Sequence, residues 1–265
     1  MTSPLAALRV VVTRAAGKGG ELSRLLAEAG AEVVHVPTVQ IVDPSSWDGV
    51  DRAVRALQVA TYDWVLFTSI NAVEKLVGRM KSLSVDASAL NLAQVGAVGP
   101  STQKALDDYG VSVDTLPGNF TAEDLVRSLG SGPGQVLLPR VEGGPQEIVS
   151  VLGDRGFDVD EVAVYRNVAP DADSPEIADL RRGRFDVVTF ASASSARNFA
   201  AHVAGPADLG LGPDDPPDRV VACIGPQTAR GARASGFRVD VEAPEHTARG
   251  LVDALIDFHS GREAK

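Results

Sequence analysis

The chain has 265 residues, 44% of them hydrophobic, and its 25 Lys and Arg stand against 35 Asp and Glu for a net charge of −10. That length holds two cores of ordinary domain size. The acidic balance excludes a nucleic-acid binder, which must neutralise phosphates with a basic face, and no apolar run approaches the roughly 20 residues that cross a bilayer.

Residues 1–12 are apolar but few, are interrupted by Arg9 and run straight into a repeated element, so they read as a strand and not as a signal peptide. Short apolar runs then alternate with helical patterns at 8–13, 31–36, 64–68, 92–95, 111–115, 136–138, 159–164, 187–190, 220–224 and 238–241. Strands that are apolar on both faces and alternate with helices predict parallel sheets covered on both sides. Ser69, Pro100-Ser101, Thr121, Ser192, Pro226 and Thr247 stand where an N-cap or first-turn residue belongs, and Thr121-Ala122-Glu123-Asp124 approximates a capping box. Gly30, Gly110, Gly156 and Gly236 are placed as left-handed C-caps. The one cysteine, Cys223, lies in the apolar run 220–224 and reads as a small buried hydrophobe. It excludes a disulfide or a cysteine metal site within one chain, as suits a reducing cytoplasm.

The chain is built twice. Val10-Val11-Val12-Thr13-Arg14 matches Val136-Leu137-Leu138-Pro139-Arg140 at an offset of 140 − 14 = 126 residues. The same register joins Gly17 to Gly143, Glu21 to Glu147, Gly30 to Gly156, Gly99-Pro100 to Gly225-Pro226, Thr102 to Thr228, Gly110 to Gly236 and Thr121 to Thr247. Between these markers Tyr62-Asp63 matches Phe185-Asp186 at 186 − 63 = 123, a difference taken up in surface loops. Solenoid repeats are shorter and need three or more copies, so the repeated unit is domain-sized. Two divisions fit this pattern. The Gly/Pro-rich stretch 130–134 suggests a linker between contiguous domains. Alternatively 37–42 and 164–168, extended and equivalently placed, cross between domains, and the first βαβ of each copy packs into the other. Residues 205–217 read as a surface loop in either case.

In doubly wound sheets ligands bind beyond the carboxyl ends of the strands, where helix N-termini converge. Four duplicated openings fall there, at 68–71, 191–195, 99–102 and 225–228. Each offers free N–H groups and hydroxyls that favour an anion by roughly 0.3 to 1 kcal/mol at exposed sites; plain capping is the other reading of each. Arg14 and Arg140 end equivalent strands ahead of Gly-rich turns, and read either as fixed charges for an anion or as rim arginines. The spacings G-x-x-x-x-G-K-[ST] and G-x-G-x-x-G are absent, which speaks against ATP and NAD. His35, His202, His246 and His259 show no metal-ligand spacing and no Ser/His/Asp order, and read as solvated or edge histidines. Tyr165 lies on the candidate crossover, where a phenol either donates a hydrogen bond to a leaving oxygen or covers a hinge.

Val-Thr-Arg with the Gly-rich turn at 12–20, Tyr-Asp-Trp-Val-Leu-Phe-Thr-Ser at 62–69, Val-Tyr-Arg at 164–166, Phe-Ala-Ser-Ala-Ser at 190–194, Ile-Gly-Pro-Gln-Thr-Ala at 224–229 and the closing Thr247 helix together resemble uroporphyrinogen-III synthase over nearly the whole chain. The resemblance implies two doubly wound, flavodoxin-like α/β domains: a discontinuous one of 1–36 plus 170–265, and an inserted one of 43–163. Residues 37–42 and 164–169 become the connector strands, which overrides a boundary at 130–134. The implied substrate is hydroxymethylbilane, a linear tetrapyrrole with eight carboxylates. The implied reaction is loss of the ring A hydroxyl to an azafulvene, attack by the substituted carbon of ring D, a spiro intermediate, and closure with ring D inverted. No cofactor or metal is implied. Because the electrophile closes unaided to the uninverted isomer, the demand on the protein is to hold the chain of rings in one conformation.

By that resemblance Tyr165 and Thr228 are the catalytic residues, Tyr165 assisting loss of the hydroxyl. Thr228, with Ser69, Thr102, Ser192, Ser194 and Gly225, holds carboxylates through hydroxyls and neighbouring amides, and Arg14 and Arg140 supply positive contacts. The family also implies a cytoplasmic monomer without nucleic-acid or membrane partners, in transient contact with the preceding enzyme of the pathway. The rival readings are a non-catalytic, bilobal anion-binding or regulatory module of the same fold, and a periplasmic-type receptor, which would need a signal sequence or lipid anchor. Tyr165 and Thr228, both present, favour the enzyme.

Overall fold

The computed structural model describes residues 3–13 and 20–263. The chain opens with β1 (Arg9–Val12), α1 (Gly20–Glu28), β2 (Glu32–His35) and β3 (Gln40–Val42). It continues through α2 (Asp48–Gln58), β4 (Trp64–Phe67), α3 (Ile70–Ser82), β5 (Gln94–Ala97), α4 (Pro100–Asp107), α5 (Ala122–Ser128), β6 (Gly134–Val141), α6 (Glu147–Asp154) and β7 (Phe157–Val168). It closes with α7 (Pro175–Arg181), β8 (Val187–Phe190), α8 (Ala193–His202), β9 (Val220–Cys223), α9 (Pro226–Ala234), β10 (Val241–Glu242) and α10 (Ala248–Glu263). Two compact units result, Met1–Gln40 with Val168–Lys265, and Ile41–Asn167.

The strand orders are β10-β9-β8-β1-β2 in the first unit and β3-β7-β6-β4-β5 in the second. Taking the strands of the first unit in their own order gives 2-1-3-4-5, the doubly wound order of flavodoxin. Each sheet draws strands from both repeats. Parallel pairing of β1 with β8 sets Val10 beside Val187 and Val11 beside Val188; pairing of β6 with β4 sets Val136 beside Trp64 and Leu137 beside Val65, the equivalent residues. The segments 37–42 and 164–169 carry β3 and the end of β7, which are neighbours at the edge of the second sheet.

Period-two side-chain alternation buries both faces of these strands. In the first unit Val10, Val12, Val187 and Ala222 pack against Leu22, Leu25, Leu26 and Leu251 of α1 and α10. Val11, Val188, Phe190 and Cys223 face the opposite side, toward Phe199 and Phe237. There Phe190 and Phe199 meet edge to face at a centroid distance of 5.6 Å. Cys223 is fully buried, and burial pushes its thiol up to about 12, which leaves it unionised and inert. The helices are amphipathic in the same sense: α2 buries Val50, Ala53, Val54 and Leu57, the i, i+3, i+4, i+7 stripe of a core-facing helix.

Two duplicated aspartates close the N-terminal edges of the sheets. Asp186 accepts the Arg9 N–H at 2.7 Å and donates its own N–H to the Arg9 carbonyl at 2.9 Å; Asp63 does the same with Gln135, at 2.7 and 2.9 Å. Asp114 accepts from the Val95 N–H at 2.7 Å, and Asp240 from the Val221 N–H at 2.9 Å. The first pair ties each central strand of one repeat to a strand of the other.

Several expectations are corrected. Residues 111–115 form no named strand; Thr115 makes a single bridge to Gly96. Leu92 ends a 3-10 turn, so β5 begins at Gln94, and of the last run only Val241 is strand, in the two-residue β10 that ends at Glu242. The stretch 130–134 is no linker but part of the second unit, where Gly132 lies against the backbone of Gly156 so closely that a side chain would collide. Residues 205–217 are not merely a surface loop, because Leu209 and Leu211 are buried in the core beside Phe199 and Phe237. The reciprocal capping box occurs at Ser192 and Ser195 rather than at Thr121, whose hydroxyl caps the Asp124 N–H and donates to the Asp124 carboxylate in place of the backbone N–H. The C-cap glycines take the left-handed conformation expected of them, with φ of 95°, 74°, 92° and 88° at Gly30, Gly110, Gly156 and Gly236.

Asp186→Ala leaves the Arg9 N–H without its partner and is expected to lower the free energy of urea unfolding by about 1 to 3 kcal/mol. Asp186→Asn, which keeps an acceptor oxygen, is expected to lose less. Equal, negligible losses in both variants would contradict the tie.

Candidate functional site

The helix N-termini singled out from the sequence all follow the carboxyl ends of strands. Ser69, extended at φ −159° and ψ 152°, caps α3 by accepting the Ala72 N–H at 3.2 Å. Ser192 occupies the equivalent place before α8 and caps the Ser195 N–H at 3.1 Å, while Ser195 Oγ accepts the Ser192 N–H at 3.3 Å. Ser192 Oγ also lies 3.0 Å from the exposed Ser194 Oγ. Gly99 and Gly225 are the N-caps of α4 and α9, each followed by proline at the first helical position. Proline replaces one of the unpaired first-turn donors; in α4 the Thr102 N–H already donates to the Gly99 carbonyl at 3.0 Å, and the Ser101 N–H remains for a ligand. Thr102 and Thr228 come two residues later and are only 4% and 5% exposed. Of the hydroxyls at these openings, those of Ser69 and Ser192 serve as caps and those of Thr102 and Thr228 are buried, while Ser101 and Ser194 are exposed. Ser195, which completes the Ser192 box, could be recognised by its spacing of three residues from a capping serine.

Tyr165 is 7% exposed, and its hydroxyl lies 3.3 Å from Ser69 Oγ. A bulge puts it there. The β6–β7 register runs from Gly134 and Phe157 to Arg140 and Ala163 and then skips a residue, so that Val141 faces Tyr165. The skip leaves Val164 and Tyr165 both buried, against the alternation of the strand. Tyr165 is then fixed by its carbonyl, which accepts the Glu142 N–H at 2.7 Å. The Glu142 carboxylate in turn accepts the Ser45 N–H at 2.8 Å and the Ser45 hydroxyl at 2.7 Å, bonds that hold its carboxyl below the usual range. Arg166 Nε donates to the Asp43 carbonyl at 3.1 Å. Nothing in the residue types marks this bulge, which is why a period-two reading of 159–164 misses it.

The arginines fare differently. Arg14 lies outside the described residues. Arg140 is 6% exposed and no rim residue: Nη2 donates to the Pro145 carbonyl at 2.5 Å, Nε is 3.5 Å from Glu161 Oε1, and Nη1 is buried without a partner. The backbone of Gly144 packs on the guanidinium, where a side chain would collide. Its charge acts on the β6–α6 turn, and contact with a ligand requires that turn to move.

Two further features of the second unit are structural. Tyr62 is 5% exposed and donates its hydroxyl to Asp160; burial and that carboxylate push the phenol well above its ordinary value. A cavity of about 690 Å³ beside it is lined by Asp63, Asn91 and Asp114, whose carboxylate and amide oxygens already accept backbone N–H groups. It lies at the N-terminal edge of the sheet, away from the helix N-termini. Among the described residues no group of three or more His, Cys, Asp or Glu is placed to hold a metal ion, and no helix is long and apolar enough to cross a membrane.

Residues 20–253 match the family model described as uroporphyrinogen-III synthase HemD. The chain is 36% identical over 261 residues to a uroporphyrinogen-III synthase of Synechococcus elongatus, covering 95% of this chain and 96% of that protein. It is 28% identical to one of Chlorobaculum parvum, covering 93% and 98%. In fold it resembles a mutant uroporphyrinogen III synthase from Thermus thermophilus, with a TM-score of 0.63 at 22% identity over 98% of this chain and 100% of that one. It also resembles a uroporphyrinogen-III synthetase from Helicobacter pylori, with 0.58 at 17% identity over 94% and 98%. A match that runs through both units, from α1 to α10, makes the chain a member of the uroporphyrinogen-III synthase family.

Proposed function

We propose that this chain is an enzyme that cyclises hydroxymethylbilane to uroporphyrinogen III, with loss of water and inversion of ring D, in tetrapyrrole biosynthesis. The observation that carries the reading is the 36% identity to a synthase over 95% of the chain, which leaves neither unit to another purpose. The ring A hydroxyl leaves with a proton as water, and the azafulvene is attacked by the substituted carbon of ring D. The older bond from that spiro carbon to the methylene of ring C then breaks, leaving an azafulvene on ring C; the free α-carbon of ring D attacks it and loses its proton, so that ring D is inverted.

Tyr165 is the proposed donor to the departing hydroxyl. Ser69 Oγ accepts the Ala72 N–H and keeps its own hydrogen; directed at the Tyr165 oxygen 3.3 Å away, that hydrogen leaves the phenolic one for substrate. The carboxylate arms take hydroxyls and neighbouring amides at Ser69, Thr102, Ser192, Ser194 and Gly225, and Thr228 is the second proposed catalytic residue. These donors are fixed by caps before substrate arrives, so holding the rings costs little reorganisation. Arg14 and Arg140 are proposed to add positive charge. The same reading makes the chain a cytoplasmic monomer without cofactor, in transient contact with the enzyme that supplies its unstable substrate.

The test feeds the purified protein hydroxymethylbilane generated in place, oxidises the product and separates the type I and type III uroporphyrin isomers. Type III in excess of a protein-free control is expected, and type I alone would overturn the reading. Tyr165→Phe is expected to lower turnover about tenfold, or ~1.4 kcal/mol in the barrier; an unchanged rate would remove Tyr165 from the mechanism.

A further inference from the structure

Two rings occupy equivalent places in the two units. Phe120 comes one residue before Thr121, which caps the Asp124 N–H at 3.1 Å, and His246 one residue before Thr247, which caps the Gly250 N–H at 2.9 Å; the separation is 246 − 120 = 126, the repeat offset. Each ring residue stands against the glycine that opens the neighbouring Gly-Pro helix. A Cβ built on Gly99 would lie 3.6 Å from Phe120 Cβ and 3.9 Å from its Cγ, and one built on Gly225 would lie 2.6 Å from His246 Cδ2. Both side chains are exposed, Phe120 at 53%.

Local packing does not account for Phe120. A residue before an N-cap commonly packs as a staple on the fourth helical position. Here Leu125 holds that position and is fully buried in the core, whereas Phe120 is exposed. Phe120 instead adopts φ of 54°, which bulky side chains rarely take, and leaves its ring in solvent.

We propose that Phe120 and His246 are pyrrole-contacting residues of the cyclisation, an inference that rests on the proposed function. The substrate alternates flat, electron-rich rings with carboxylate arms. Helix N-termini suit the arms, but the serines and threonines at those termini offer nothing flat to the rings. A ring seated one glycine away from unpaired N–H groups serves a pyrrole and its carboxylate at once, by stacking or edge contact with the first and hydrogen bonds to the second. Each unit presents one such seat for a pyrrole.

The experiment compares full-length wild type with Phe120→Ala, Phe120→Tyr, His246→Ala and His246→Phe, following KM, kcat and the isomer ratio. The alanine variants are expected to raise KM roughly tenfold at nearly unchanged kcat and to raise the share of type I product, with unfolding midpoints unaltered because both sites are exposed. The Tyr and Phe variants, which keep a flat ring, are expected to retain KM within about twofold of wild type. Alanine variants of an active wild type with unchanged KM and isomer ratio overturn this inference alone, as does a KM raised equally in the ring-keeping variants. A wild type that forms only type I overturns the parent reading and this inference with it.

Discussion

The parallel pairing of β1 with β8, and of β6 with β4, is the contact on which both units depend. Each pair sits inside its sheet, buried on both faces, so its backbone groups have no water to fall back on and must find one another. Each pair also joins different repeats, so neither repeat completes a sheet by itself. Asp186 and Asp63 tie the same junctions at the opposite end from the candidate site. With register set there, the helices after β4 and β8 start at equivalent points, which is why Ser69 and Ser192 take up matching capping roles.

That scaffold suits a reaction whose difficulty is conformational. Unpaired helix N–H groups are donors of fixed direction, and their caps, Ser69 and Ser192, are bound within the protein. Tyr165 is positioned with comparable care: a bulge turns it, its carbonyl is held by Glu142, and Glu142 is held by Ser45. A buried phenol with a serine hydroxyl beside it can give one hydrogen bond in a defined direction, which is what departure of a hydroxyl asks for. Arg140, packed under Gly144, lends rigidity to the neighbouring turn at the cost of one guanidinium NH2 group left buried and unpaired.

Much of this was legible in the residues because burial on two faces writes a plain pattern. Strands of unbroken Val, Leu and Phe are hard to mistake, and a glycine such as Gly30 before a new strand marks a helix end by the conformation that only it adopts easily. The failures have physical causes too. In 111–115 apolar residues alternate as in a strand, but only Asp114 and Thr115 at its end reach β5, and Thr115 makes the single bridge. At 130–134 glycine serves close approach to Gly156 rather than flexibility, and composition does not distinguish the two uses. Arg140 looks like a rim arginine until Gly144 is seen against it. The skipped residue at Val164 leaves no mark in the sequence. His246 read alone is an unremarkable surface histidine; only its seat on Gly225, matched by Phe120 on Gly99, gives it meaning.

The exchange of strands between repeats also orders events at the ribosome. The unit formed by 41–167 is contiguous and can close as soon as it has emerged. β1 has no such option: Val10 must wait for Val187, 187 − 10 = 177 residues further along the chain. At about 5 to 20 residues per second the wait is on the order of ten seconds or more. For that interval β1, α1 and β2 are an apolar βαβ fragment without the rest of its sheet, with Val10, Val12, Leu25 and Leu26 incompletely covered. The unit that comes first in the sequence is thus the last to be finished, and the nascent chain is most vulnerable to association and to chaperone capture at its own beginning.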